Sequence, residues 1–105
     1  MAFTGASLAD GQLAATKGTI YTSVAKTIVK SINVFSTHAS TQTVIIYVKR
    51  SGSTSRQIFR AELDQNEYAW VLSDGETIVL SASDVIEGIT TNATSVDYAI
   101  TGATE

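Results

Sequence analysis

The chain contains no cysteine and no proline. Without cysteine it cannot form a disulfide framework, a thiolate metal site or a cysteine nucleophile. Without proline its turns depend on glycine, aspartate, asparagine and serine, the other residue types that favour turns. No run of the sequence approaches the roughly 18 apolar residues of a membrane-spanning helix, and its N-terminus lacks the basic and apolar segments of a signal peptide. We therefore expect a protein that is synthesised in a cytoplasm and has no membrane partner.

Charged residues are also scarce, at 16% of the chain. The formal net charge is -3, which argues against a nucleic-acid partner because nucleic-acid-binding domains normally carry a basic excess. The charges are separated along the sequence, since all 7 lysines and arginines lie within residues 1 to 60, where Asp10 is the one acid. This separation either links neighbouring strands within one molecule, the interpretation we favour, or lets the basic face of one subunit meet the acidic face of another.

Few side chains are suited to catalysis. The one histidine, His38, lies among small hydroxyl residues in "STHAST" without a nucleophile motif, so we interpret it as a solvated loop side chain. Asp84 and Glu87 are three residues apart, as are Asp64 and Glu67, and in a strand this spacing places the two acids on opposite faces. Glycine-rich phosphate-binding motifs are absent. The sequence therefore predicts a protein that is not an enzyme, with no catalytic, cofactor-binding or metal-binding residue.

What the sequence does contain is alternation of apolar and polar residues, as in "TVIIYVK". The alternating or apolar segments are residues 18–24, 28–35, 44–49, 57–63, 68–72, 77–80, 85–90 and 96–100. Between the fifth and sixth segments, "SDGE" predicts a tight hairpin turn, because aspartate and glycine tolerate positive φ angles. Short strands at this spacing predict an all-β fold, namely an antiparallel, jelly-roll-like β-sandwich of about eight strands.

The N-terminal residues differ from the rest in being small and weakly apolar. We expect residues 1–16 to form a short arm outside the main sheet and residues 17–105 to form a single β-sandwich domain. The arm is either a frayed terminus or a segment that becomes ordered against a neighbouring subunit. Residues 6 to 15 are the one stretch that could form a turn or two of helix.

Basic and aromatic side chains are the best candidates for a binding surface. A sandwich without an active site acts through its outer surfaces. We therefore expect its edge strands, the N-terminal segment and the residues around 50 to 60 and 64 to 70 to contact neighbouring molecules. The candidate interface residues are Arg50, Arg56, Arg60, Tyr68 and Trp70. Exposed aromatics could instead stack against sugars, although such side chains more often pack in a core.

Two long segments carry a family resemblance. They are "GTIYTSVAKTIVKSINVFSTHASTQTVIIYVK" at residues 18 to 49 and "LSASDVIEGITTNATSVDYAITGATE" at residues 80 to 105. Both resemble a group of small tailed-bacteriophage virion proteins, which share a Val-Lys-x-Ile-Asn-Val-Phe-type strand, an Asp-x-Ile-Glu-Gly turn and a Val-Asp-Tyr-x-Ile-x-Gly ending. The resemblance consists of strand and turn signatures and therefore assigns no functional residue.

The resemblance implies a non-enzymatic β-sandwich that is built into the phage particle. Such a protein would be made in the host bacterial cytoplasm and would end in the virion, either as a capsid decoration (cement) protein or as a tail-associated protein. Its partners would be the major capsid or tail proteins and further copies of itself, with a trimer as one candidate. The alternative is a host-recognition or carbohydrate-binding β-sandwich module that uses exposed aromatics such as Trp70 or Tyr68.

Overall fold

The computed structural model describes residues 4 to 72 and 75 to 105, and every regular element in these two ranges is a β-strand. The strands are β1 (Thr4–Gln12), β2 (Gly18–Thr22), β3 (Thr27–Ser36), β4 (Gln42–Lys49), β5 (Ser55–Leu63), β6 (Tyr68–Leu72), β7 (Ile78–Leu80), β8 (Val85–Thr90) and β9 (Val96–Thr104). No helix in the described ranges could cross a membrane. The predicted all-β class is confirmed, with nine strands where about eight were expected.

The strands form two antiparallel sheets. Sheet A has the order β1-β9-β3-β6, with β7 also paired to β3, and sheet B has the order β2-β8-β4-β5. The early strands thus pair with the late strands in reverse order, as in one long hairpin. This hairpin is rolled up so that β9 also pairs with β3 and β8 with β4. Two sheets with this nested pairing form a jelly roll, so the predicted β-sandwich and its jelly-roll character are confirmed.

One hydrophobic core fills the space between the two sheets. Its buried members are Leu13, Val29, Ile32, Val34, Val44, Ile46, Val48, Leu63, Leu72, Leu80, Ile86, Val96 and Ile100. Alternation is clearest in β4, where every second side chain from Gln42 to Val48 is buried and the intervening ones are half-exposed. Because successive strand side chains point to opposite faces, this period of two is what the sequence showed.

The N-terminal segment is a strand of sheet A, so the prediction of an arm outside the main sheet is wrong for Thr4–Gln12. This strand pairs with β9 from Thr4, opposite Thr104, to Gln12, opposite Asp97. Leu13 follows it and is buried, and its N–H donates to the Val96 carbonyl at 2.9 Å. The side chains of β1 are small and do not alternate between apolar and polar, so the sequence does not reveal the strand. Main-chain hydrogen bonds to β9 hold it in sheet A.

The hairpin expected between β6 and β7 does not form, since both strands pair with β3. Strand β6 lies opposite residues 32 to 35 and β7 opposite residues 27 to 29, so the two follow one another along the same edge of sheet A. Ser73 and Asp74 of the predicted turn lie outside the described residues. The Asp-Gly signal reports only local turn chemistry, whereas the strand partner is set by burial of Leu72 and Leu80 against the core.

Candidate functional site

Large apolar side chains are exposed mainly along one side of the sandwich. Ile58 on β5, Tyr68 and Trp70 on β6, and Val79 on β7 are 42%, 62%, 52% and 50% exposed. Strands β5 and β6 are outer strands of the two sheets and lie next to each other. We call this surface the β5–β6–β7 side. Exposed large apolar side chains that lie on neighbouring strands mark candidate interaction sites.

The three arginines of the chain also lie at this side. Arg56 and Arg60 belong to β5, and Arg50 directly follows β4, the neighbour of β5 in sheet B. Together with Tyr68 and Trp70 on β6, the structure therefore brings the predicted interface residues to a single side of the molecule. Tryptophan, tyrosine and arginine are the residue types that dominate binding energy in protein interfaces.

These residues face three directions, so the candidate surface wraps around the edges of the sandwich. Arg60 lies opposite Ile45 on the outer face of sheet B. The two aromatic residues of β6 lie on the outer face of sheet A. Arg50 and Arg56 instead line a shallow groove of ≈ 210 Å³ between the sheets, together with Ile58.

Sequence reasoning missed two apolar members of this surface, Ile58 and Val79. Val79 lies between two core-facing residues. In the sequence these three apolar residues indicate a strand that is buried on both faces, although Val79 is exposed. Ile58 is the extra residue of a β-bulge, because Ile46 pairs with Phe59 and Tyr47 with Gln57. A bulge shifts the alternation by one residue, and nothing in the local sequence announces it.

Arg50 has a structural role as well as an exposed position. Its Nη1 donates to the Val79 carbonyl at 2.6 Å and to Asp84 Oδ2 at 3.2 Å. The Asp84 carboxylate also accepts the N–H of Ser51 at 2.9 Å and the N–H of Ser81 at 2.9 Å. These two backbone hydrogen bonds, and then the arginine, hold the pKa of Asp84 below its usual value, against the opposing effect of burial.

Arg56 and Arg60, in contrast, form no ion pair with any described residue. Linking strands within one molecule, the interpretation that the charge separation favoured, therefore accounts for Arg50 but not for the arginines of β5. Two guanidinium groups on β5, the strand next to the one that carries the exposed tryptophan and tyrosine, suit contact with another molecule.

The outer face of sheet A carries side chains in rows across the strands. One row consists of Trp70, Asn33, Ala99 and Asp10, and the next of Tyr68, Phe35, Asp97 and Gln12. Each row begins with an exposed aromatic on β6 and ends with an exposed polar side chain on β1. In the second row the Gln12 Nε2 donates to Asp97 Oδ1 at 3.1 Å. The aromatic side chains at one edge of sheet A and the polar side chains at the other edge therefore lie at the same positions along the strand direction.

His38 and the acids Asp64 and Glu67 lie in turns and form local hydrogen bonds there, whereas Glu87 lies in β8 and accepts a hydrogen bond from the Ser55 hydroxyl. His38 Nδ1 accepts the Ser40 N–H at 3.1 Å in an exposed loop. Glu67 accepts the Asp64 N–H at 2.6 Å and so closes the turn between β5 and β6. Within residues 4 to 72 and 75 to 105, no group of three or more histidine, aspartate or glutamate side chains is placed to hold a metal ion.

The chain was compared with protein-family models, with curated proteins and with solved structures, and none of these comparisons gave a match. The surface chemistry of the molecule is therefore the structural observation from which its function can be inferred, and it can be tested residue by residue.

Proposed function

We propose that the protein is a non-enzymatic structural component of a phage virion, either a capsid decoration (cement) protein or a tail-associated protein. It acts through contacts with the major capsid or tail proteins and with copies of itself. The observation that carries the proposal is the β5–β6–β7 side, where the neighbouring outer strands β5 and β6 expose Arg56, Arg60, Tyr68 and Trp70. The sequence resemblance described above supports the assignment to a virion. The jelly roll adds an argument by analogy, because the fold recurs in viral capsid proteins and in lectins.

The β5–β6–β7 side has the make-up of a contact surface between proteins. Interface centres are rich in aromatic residues and arginine and poor in lysine, and this side follows that pattern. Burial of exposed apolar surface contributes about 25 cal/mol per Å² before the costs of association are subtracted. In a particle that contains many copies, several such contacts act together, so each one can be modest and the subunit is still retained.

Quantitative mass spectrometry of purified virions tests the proposal. We expect the chain in particles, and we expect the double variant Arg56→Glu, Trp70→Ala to lower its incorporation at least about tenfold, a loss of about 1.4 kcal/mol of contact free energy. The matched control is Lys26→Glu, Val24→Ala, which makes the same kinds of change in the turn between β2 and β3. Absence of the chain from virions would contradict the proposal, as would equal losses for the two double variants.

A second candidate function, a host-recognition or carbohydrate-binding module, is favoured by one observation. Tyr68 and Trp70 project from the same face of β6, two residues apart, beside the polar side chain of Asn33. Rings spaced in this way can stack on the apolar faces of consecutive sugars while the amide hydrogen-bonds hydroxyl groups. Glycan-array binding that Trp70→Ala abolishes and Val24→Ala leaves intact would establish this function. An array without signal for the wild-type chain would remove it.

A further inference from the structure

The side of the sandwich opposite to the β5–β6–β7 side also consists of two outer strands, β1 and β2. An outer strand exposes unpaired N–H and C=O groups and can accept a strand from another chain. Proteins suppress this with short strands or with charges, and β2 is only 5 residues long. Strand β1 has 9 residues and a single charged side chain, that of Asp10. Charge therefore protects this edge only weakly, and the bulge at Leu8 divides it into two segments.

The direction of the strands allows a second copy to continue sheet A. Sheet A has four strand positions if β6 and β7 are counted as one interrupted edge, and all its pairings are antiparallel. With an even number of positions, the two edge strands run in opposite directions. A copy placed beside the first without being turned over thus brings β1 antiparallel to the β6–β7 edge. The same holds for β2 and β5 in sheet B.

The side chains at the two edges of sheet A lie in the same rows across the strands and are chemically complementary. Asp10 and Gln12 end the rows that begin with Trp70 and Tyr68. In a continued sheet, the Asp10 carboxylate of one copy would accept a hydrogen bond from the Trp70 indole N–H of the next. Both edges are interrupted near the middle, β1 by the bulge at Leu8 and the other edge by the break between β6 and β7. Each edge therefore offers two short segments to the other.

We propose that the β1 edge of one copy pairs with the β6–β7 edge of the next, so that sheet A continues from subunit to subunit in a head-to-tail ring. This inference rests on the proposed assembly function and names its partner as a second copy of the chain. A two-fold contact would cover only one of the two edges. Made through the β5–β6–β7 side, it would also bring the arginines of both copies together. A head-to-tail contact covers both edges of every subunit. It forms a closed ring when the rotations between successive copies add up to a full turn.

Mixing two blocked variants tests the head-to-tail arrangement. Ser7→Lys places a charge on the exposed outer face of β1, and Trp70→Lys places one on β6, with Tyr68→Lys as a second variant of that edge. By size-exclusion chromatography with light scattering, we expect an oligomer for the wild type and monomers for each variant. In an equal mixture, the Ser7→Lys variant keeps an intact β6–β7 edge and the Trp70→Lys variant keeps an intact β1 edge. One molecule of each can therefore pair, and the mixture should give the mass of two protomers and nothing larger.

The control Ala93→Lys adds the same charge in the exposed loop between β8 and β9, and it should assemble as the wild type does. Circular-dichroism melting confirms that each variant is folded. A monomeric wild type would overturn the inference, and so would assembly by either blocked variant alone or a mixture that stays monomeric. Failure of this inference and failure of the virion proposal are distinguishable. A wild-type monomer that is still found in virions refutes only the ring, whereas a ring-forming chain that is absent from virions refutes only the virion role.

Discussion

At the scale of single residues, Asp84 holds one end of the sandwich together. It accepts hydrogen bonds from the N–H groups of Ser51 and Ser81 and pairs with Arg50, so it connects the turn after β4 to the turn before β8. Its side chain is only 7% exposed, whereas that of Arg50 is 51% exposed. A buried carboxylate with several donors is costly to replace, because the donors then lose their acceptor away from water.

We expect Asp84→Asn to lower the free energy of unfolding by about 2 to 3 kcal/mol at pH 7. The lowered pKa of Asp84 means that its contribution is fully present above the ordinary carboxyl pKa and is lost as the pH falls through the lower, folded-state pKa. The difference between wild type and variant should therefore shrink in acid. Urea denaturation at several pH values measures it, with the exposed Glu62→Gln as the control that should change stability by less than about 0.5 kcal/mol.

Gly102 is required by a close approach of two strands. A Cβ at this position would lie 2.1 Å from the Ile28 carbonyl oxygen and 3.0 Å from the Val29 Cα. Since both are backbone atoms of the neighbouring β3, they cannot move without disturbing the sheet. We expect Gly102→Ala to cost about 3 kcal/mol or more in thermal or chemical unfolding. Gly5→Ala is the matched control, because the nearest atom there is 4.0 Å away, and an equal cost for both variants would contradict this account.

At the scale of secondary structure elements, β1 depends on a residue just beyond its end. Leu13 is 1% exposed and inserts into the core, whereas Leu8 within the strand is only half-buried. We expect Leu13→Ala to destabilise the protein by about 2 to 4 kcal/mol and Leu8→Ala by about half as much. Hydrogen exchange should show that β1 loses protection first in the Leu13 variant. Unchanged protection of β1 would mean that pairing with β9 holds the strand without this anchor.

Some strands of the fold could be predicted from the sequence and others could not. Strands β3, β4 and β8 were predictable because one face of each is buried and their side chains alternate. Strand β1 was not, because its small side chains show no alternation and main-chain pairing to a strand far along the sequence decides its place. The partner of β6 and β7 was unpredictable for a related reason, since a turn signal carries no information about strands beyond its own hairpin.

The candidate surface was predictable to a similar degree. Arginine, tyrosine and tryptophan can be chosen as interface candidates from their residue type alone. The structure places the predicted interface residues on or next to the outer strands β5 and β6. Ile58 and Val79 needed coordinates, because their exposure depends on a bulge and on the face that β7 turns outward. The proposed continuation of sheet A likewise depends on strand order, which local sequence patterns do not reveal.

At the scale of the whole molecule, the sandwich is elongated, with extents of 45 × 28 × 19 Å, and its two long sides differ in chemistry. The β5–β6–β7 side carries arginine and exposed aromatic residues, whereas the opposite side presents β1 with small side chains and Asp10. A subunit with two unlike sides is suited to repeat in one direction, as in a ring of a capsid or tail. We propose that these outer surfaces, and the β5–β6–β7 side above all, make the contacts through which the protein acts.

Cryo-electron microscopy of purified virions would show which surfaces of the protein make its contacts. We expect density for the jelly roll in the capsid or the tail, with Arg56, Tyr68 and Trp70 covered by a neighbouring protein and sheet A continued by β1 of the adjacent copy. Particles in which the β5–β6–β7 side of the chain faces open solvent while other surfaces make its contacts would contradict this proposal.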